Sequence, residues 1–269
     1  MKRRITSICS YTFLTVVAFL SVFPLLWTVI SSTNRSVDIL RGTMLPGTYF
    51  FQNLNRLMEM ADVGLAFVNS ARNAILLTVL SVLICSLAGY GFEIYHSKAK
   101  DRLMGFLLLS LMVPFVAIMI PLFQLVANMN LLNSTIGFML PTLATAFLVM
   151  FFRQNIRSFP HEMIEAARID GLNELSIFFR IFIPTMKSTY AAAITITFMA
   201  AWNMFLWPRI IMLAPEHLTM PMLISNLTQS YVIDLGVLML SVLIATFPTV
   251  ILFFFLQKHF AEGIVGTIK

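Results

Sequence analysis

The sequence predicts an all-α polytopic membrane protein with six transmembrane helices and both termini in the cytoplasm. Three observations carry that prediction. Only 11% of the 269 residues are Asp, Glu, Lys or Arg, while 59% are hydrophobic and the mean hydropathy is +0.87. A soluble domain carries about 25% charged residues and needs a polar shell that this composition cannot supply. The few charges are separated by long uncharged runs, and those runs are continuously apolar. A transmembrane β-barrel would instead alternate with period two over strands of about ten residues.

Each helix follows from one charge-free run, since about 20 apolar residues cross a bilayer. Thirty uncharged residues lie between Arg4 and Arg35 and predict a helix over 9–31. The apolar stretch is about twice the usual signal-peptide core, so it reads as a retained span. Twenty residues between Arg72 and Glu93 predict 70–94. Fifty residues between Arg102 and Arg153 hold two helices, 104–127 and 135–152, separated by the polar break Asn128–Ser134. Runs of 21 and 23 residues, after Lys187 and Asp234, predict 186–207 and 236–257.

Orientation follows from the basic residues in the short loops. A cytoplasmic N-terminus puts 13 Lys and Arg on the inner side and 5 on the outer side. The net charge of +6 is therefore a topology signal, and no segment forms the basic patch that nucleic acid needs. Neither a phosphate-binding loop nor a zinc-protease or serine-hydrolase motif occurs, and no two histidines share a helix face. The expectation is a non-enzymatic chain with no catalytic residue, no metal and no bound cofactor. Cys9 and Cys85 read as apolar packing residues.

The organisation expected is a first helix with its outer loop (1–69), a membrane core (70–258) and a cytoplasmic tail (259–269). The inner loop 153–185 stands out, because eight of the 30 charged residues lie between Arg153 and Arg180. Pro160 suits the first turn of a helix and Glu162 suits its positive end, while Gly171 suits its C-terminal stop. A second short helix carries Leu172, Leu175, Phe178, Phe179 and Phe182 at helical spacing, and Pro184 is expected to break it. Acids nearly balance the arginines here. That favours a protein partner over an anionic lipid surface, and the small residues Ala166, Ala167 and Gly171 would permit close approach.

Glu165-Ala166-Ala167, Asp170-Gly171, Ile181 and Pro184 together match the pattern EAA---DG---------I--P. The loop resembles the EAA loop of permease subunits of bacterial ATP-binding cassette (ABC) importers. The likeness extends to Phe67-Val68-Asn69-Ser70, Val113-Pro114, Ile120-Pro121, Trp202–Pro208, Thr219-Met220-Pro221 and the ending Phe260–Lys269. These are similar to the carbohydrate-uptake branch and its maltose-permease G-type subunits. The chain departs from that pattern at Leu172, Ile183 and Met204, and it lacks a proline shortly after Pro184.

The resemblance implies a type I ABC importer transmembrane domain in the bacterial plasma (inner) membrane. It implies a second permease subunit, two ATP-binding subunits that hold ATP and Mg, and an extracytoplasmic solute-binding protein. Helix 160–170 would be the coupling helix, with Glu165, Ala166, Ala167, Asp170, Gly171, Ile181 and Pro184 serving the ATPase contact, and the tail could reach between the ATPases. A sugar path would want amides and aromatic faces, for which Asn73, Tyr90, Gln124, Asn128, Trp202 and Asn203 are candidates. The alternatives are an importer permease for glycerol phosphate or another polar solute, or a self-contained secondary transporter. The latter needs an ionisable residue within a span, and the five uncharged runs hold none.

Overall fold

The structure is a computed structural model that describes the backbone of residues 2–229 and 231–266. It describes the side chains of residues 7, 9–229 and 231–258, so the side chains of the expected tail 259–269 lie outside the described residues. Among the described residues there is no strand, as the uncharged apolar runs require. Hydrocarbon offers no partner for backbone N–H and C=O groups, and a helix satisfies them within itself.

Three helices are long and apolar enough to span without a break: the apolar part of α1 (Lys2–Ser32), α4 (Val63–Ile94) and α15 (Leu235–Gly266). Between α1 and α4 lie two outer helices, α2 (Ser36–Leu40) and α3 (Phe50–Met60).

The expected helix 104–127 is instead two, α5 (Lys98–Ser110) and α6 (Phe115–Asn128), bent by 96°. Pro114 causes the break: it lacks an N–H and pushes Val113 out of the helical region. Extended itself, it caps α6. The expected helix 135–152 is α7 (Thr135–Met139), a 3-10 turn and α8 (Ala146–Ile156), bent by 55°. Ser134 and Thr145 cap α7 and α8 by accepting from the N–H groups of Gly137 and Leu148.

The inner loop forms α9 (His161–Ile169), α10 (Glu174–Ile177), a π turn (Phe178–Phe182) and α11 (Ile183–Thr185). The fifth expected span is α12 (Lys187–Trp202), whose 16 residues reach only about 24 Å, followed by α13 (Leu206–Ile211) and, after an irregular stretch, α14 (Met220–Thr228).

The chain forms two compact units. One comprises Met1–Leu65 and Met220–Phe247. Its α1 is apolar and exposed along most of its length, as a helix in hydrocarbon is, and Cys9 is exposed rather than packed. Its outer part is knit by polar contacts. Asp234 accepts from Ser36 and pairs with Arg56, both at 3.0 Å, and the buried Asn53 amide donates to the carbonyls of Ser32 and Asn34.

The other unit comprises Ala66–Thr219 and Pro248–Lys269. Its core runs from α4 (Val82, Cys85, Tyr90) through α8 (Leu148, Val149, Phe152, Ile156) and the inner loop (Phe159, Ile164, Ala167, Ile177, Phe178, Phe182) to Ala193 of α12. Gly89 lets α4 and α8 meet: a Cβ there would lie 2.7 Å from the Phe152 Cβ and 3.0 Å from the Arg153 backbone nitrogen.

Candidate functional site

The loop 153–185 is a helical hairpin with two different faces. Pro160 stands at the N-cap of α9, one position earlier than its sequence suggests, and Glu162 lies in the first turn near the positive helix end. At the other end the Leu172 N–H reaches the Ala167 carbonyl and the Gly171 N–H reaches that of Arg168. This Schellman arrangement needs a left-handed residue, and Gly171 has φ +80°.

The inner face of the hairpin carries Ile164, Ala167, Ile177, Phe178 and Phe182, all buried in the core shared with α4 and α8. Each large side chain fully buried in this way contributes about 1.5–3 kcal/mol, so the hairpin is built onto the spans. The outer face exposes Glu162, Met163, Glu165, Ala166, Asp170 and Ile169, the last 86% exposed. Leu175 and Phe179 continue that exposed surface beyond the turn. Exposed apolar side chains thus lie among acids on this outer face.

The expected coupling residues divide between these faces. Glu165, Ala166, Asp170 and Gly171 are exposed, and Ile181 is half-buried against the core. Ala167 departs from the expectation of close approach to a partner. Its methyl faces the core, where its small size lets α9 lie close on its own spans. Pro184 does not break the helix either. It lies in α11, which runs on without a break from the π turn, and the break comes at Met186 (φ −96°, ψ 30°).

Two charge clusters, which sequence reasoning missed, anchor this region. Arg153, near the end of α8 and only 6% exposed, donates from Nε to Glu93 at 3.0 Å and from Nη2 to Asp101. Arg157 stands 3.5 Å from the same Glu93, and His96 lies 3.0 Å from Asp101. The ends of α4, α5 and α8 are thus fastened by one guanidinium. In the hairpin, Arg168 donates to Glu174 at 2.8 Å and the Tyr90 hydroxyl of α4 donates to the other Glu174 oxygen at 3.2 Å. The Arg168 hydrogen bond, helped by Tyr95 and Tyr90, holds the Glu174 carboxyl below the usual range, and the same bond raises Arg168. The signal in the sequence was the placement of Glu93 and Arg153: opposite charges that close two uncharged runs at one membrane face.

The six residues expected on a sugar path do not form one site. Asn73 and Tyr90 are 17 positions apart on α4, about 25 Å along its axis. Tyr90 makes structural contacts. Its ring packs on Phe178 and Phe182 at 5.4 and 5.1 Å and its hydroxyl is taken by Glu174, so it belongs to the hairpin joint. The buried Asn73 accepts from the Thr135 hydroxyl at 3.1 Å. Trp202 is buried between Phe67 and Phe198, and Asn203 caps α12 with its amide on the Met199 carbonyl. Gln124 and Asn128 are exposed on α6. A cavity of about 300 Å³ opens instead where the broken helices meet α4 and α12. Leu77, Ser81, Leu111, Thr142, Thr145 and Ala201 contribute to its wall, and none of the six lines it.

The family described as "binding-protein-dependent transport system inner membrane component" matches residues 81–266, which include the hairpin. This chain belongs to that family. It is 44% identical over 269 residues to the lactose transport system permease protein LacG of Rhizobium radiobacter, covering 100% of this chain and 98% of LacG. It is 34% identical over 279 residues to the arabinooligosaccharides transport system permease protein AraQ of Halalkalibacterium halodurans, covering all of both. The fold is that of a chain in the crystal structure of a bacterial ABC transporter involved in the import of the acidic polysaccharide alginate. The TM-score is 0.83 at 19% identity, over 97% of this chain and 98% of that one. As a member of this family, the chain is a multi-pass membrane permease subunit of type I importer fold. Its hairpin lies in the matched region, on the continuous core with α4, α8 and α12 described above.

Proposed function

We propose that this chain forms half of the translocation path of a bacterial inner-membrane importer for a sugar or oligosaccharide, powered by separate ATPase subunits that bind ATP and Mg. One observation carries the reading. The α9–α10 hairpin shares its inner face with the cores of three spans and leaves Met163, Glu165, Ala166 and Ile169 exposed on the other face. A force applied to that exposed face passes into the spans without crossing a flexible linker. In this reading two ATPase subunits seat the hairpins of two paired permeases, both termini are cytoplasmic, and a solute-binding protein delivers solute to the outer face. Closure of the ATPases shifts the spans between two rigid-body arrangements, to the extent that the hairpin contacts differ between them.

The solute class is carried over from the relatives, whose names specify lactose and arabinooligosaccharides. The test is uptake of radiolabelled lactose, an arabinotriose and glycerol 3-phosphate by the source strain with and without this chain. Loss of saccharide uptake alone supports the reading. Loss of glycerol phosphate uptake alone, or transport by the purified chain in liposomes without ATPase subunits, refutes it.

A further inference from the structure

We propose that Glu174 is a positioning residue that latches the α9–α10 hairpin to α4, so that the hairpin and the inner half of that span move as one body. The proposal rests on the reading of the hairpin as the surface that receives ATPase motion. It goes beyond it by naming the joint through which the motion leaves.

The carboxylate of Glu174 joins three elements. One oxygen accepts from Arg168 Nε at 2.8 Å, in the last turn of α9. The other accepts from the Tyr90 hydroxyl of α4 at 3.2 Å. Glu174 itself opens α10, whose cap is the Asn173 side chain accepting from the Ser176 N–H. The cation it receives comes from the last turn of α9, where a basic residue suits the helix dipole. The Arg168 guanidinium also stands 5.8 Å over the Tyr95 ring, just past the end of α4.

The apolar core beside this joint cannot replace it. The edge-to-face contacts of Tyr90 with Phe178 and Phe182 tolerate ring-centroid separations over about 4.5–7 Å, so they fix position only loosely. Hydrogen bonds to a charged oxygen lose energy steeply when the angle or distance changes, so they fix the register. The π turn Phe178–Phe182 lies directly behind the latch. Such turns are local departures from α-helical winding, often at functional positions, and a segment of this kind would take up movement if the latch were released.

The experiment uses the complex purified from the source strain with its own partner subunits. Spin labels are placed on exposed His161→Cys of α9 and exposed Leu87→Cys of α4, in a Cys9→Ser background, Cys85 being buried. Their separation is measured without nucleotide and after trapping with Mg-ATP and vanadate. The parent should give one separation, unchanged by trapping. Tyr90→Phe, which keeps the ring, and Glu174→Gln should each give a separation that shifts on trapping. A trapping-induced shift in the parent, or no shift in either single variant, overturns the latch. So does a single variant that loses the ATPase subunits on purification, because that outcome assigns the residue to assembly. Ala166→Trp on the outer face tests the underlying reading separately. It should release the ATPase subunits, and their retention refutes hairpin docking whatever the latch does.

Discussion

Replacing Arg153 with Met should destabilise the protein by about 3 kcal/mol, at the lower end of the 3–5 kcal/mol cost of removing one partner of a buried pair. The Arg153 side chain is 7% exposed and that of Glu93 is 15% exposed, so Glu93 would keep a charge with little water to solvate it. Two features place the cost at the lower end. Asp101 is 44% exposed and can turn to solvent, and Arg157 remains 3.5 Å from Glu93. Met roughly matches the apolar stem of Arg, so a lost-packing contribution stays small. The assay is reversible unfolding of the purified protein in mixed micelles by SDS, followed by circular dichroism. A double-mutant cycle separates the causes: Arg153→Met with Glu93→Gln removes the stranded charge and should recover most of the loss. If the double variant is no more stable than Arg153→Met alone, the cost is one of packing and the electrostatic reasoning fails.

Gly171→Ala should cost about 1–2 kcal/mol, because φ +80° is left-handed and a Cβ there meets no atom within 4 Å, leaving backbone strain as the only penalty. Gly171→Leu should then match Ala in thermal unfolding of this chain, and any further loss in the assembled complex measures the approach of a partner. Gly89→Ala should cost about 1–3 kcal/mol by overpacking, since its Cβ would meet the Phe152 Cβ and the Arg153 backbone, which cannot swing away; equal melting temperatures for parent and variant would refute this. The latch should also have an acid limit. Glu174 is held below its ordinary value of 4.5, so its stabilising contribution is complete above that value and is lost as pH falls through the lowered one. Protection factors of residues 161–177, with the intrinsic pH dependence of amide exchange divided out, should therefore stay constant from neutral pH down to that range and fall below it, and Glu174→Gln should show the lower protection above that range and no acid step.

Much of the fold was legible because lipid leaves helices few alternatives. The charge-free runs placed α1, α4 and α15, and the Asn128–Ser134 break lies where α6 ends and α7 begins. The bends were hidden for the same reason. A window of apolar residues reads alike in a straight helix and in a broken one, and proline does not discriminate, since Pro24, Pro121 and Pro248 all lie inside helices while Pro114 breaks one. In the hairpin, the spacing of Leu172, Leu175, Phe178, Phe179 and Phe182 marked an apolar helix, but nothing local distinguished Leu175, Phe179 and Ala166, which face out, from Phe178, Phe182 and Ala167, which face in. Tyr90 stood among the path candidates because an aromatic hydroxyl in a span suits a sugar path as well as a structural bond. Only the fold shows that Glu174, 84 positions away, accepts its hydrogen bond.

The arrangement of charge also bears on how the protein could be driven. A self-contained transporter couples solute to an ion through an ionisable residue inside a span. Here the uncharged runs carry none, and the wall of the 300 Å³ cavity is hydrocarbon with hydroxyls from Ser81, Thr142, Thr145 and Thr197. Glu93 of α4, Asp101 of α5, and Arg153 and Arg157 at the end of α8 gather instead at the inner ends of these helices. Charges in that position cannot relay an ion through the membrane, but they can hold helix ends in a fixed relation while something pushes on them. Under the proposed function that push enters at the exposed face of α9, and the Arg153 and Glu174 clusters flank its route into the spans. On this argument, loosening either cluster should reduce the work transmitted without altering the chemistry that supplies it, so ATP hydrolysis by the complex should continue while uptake per ATP falls.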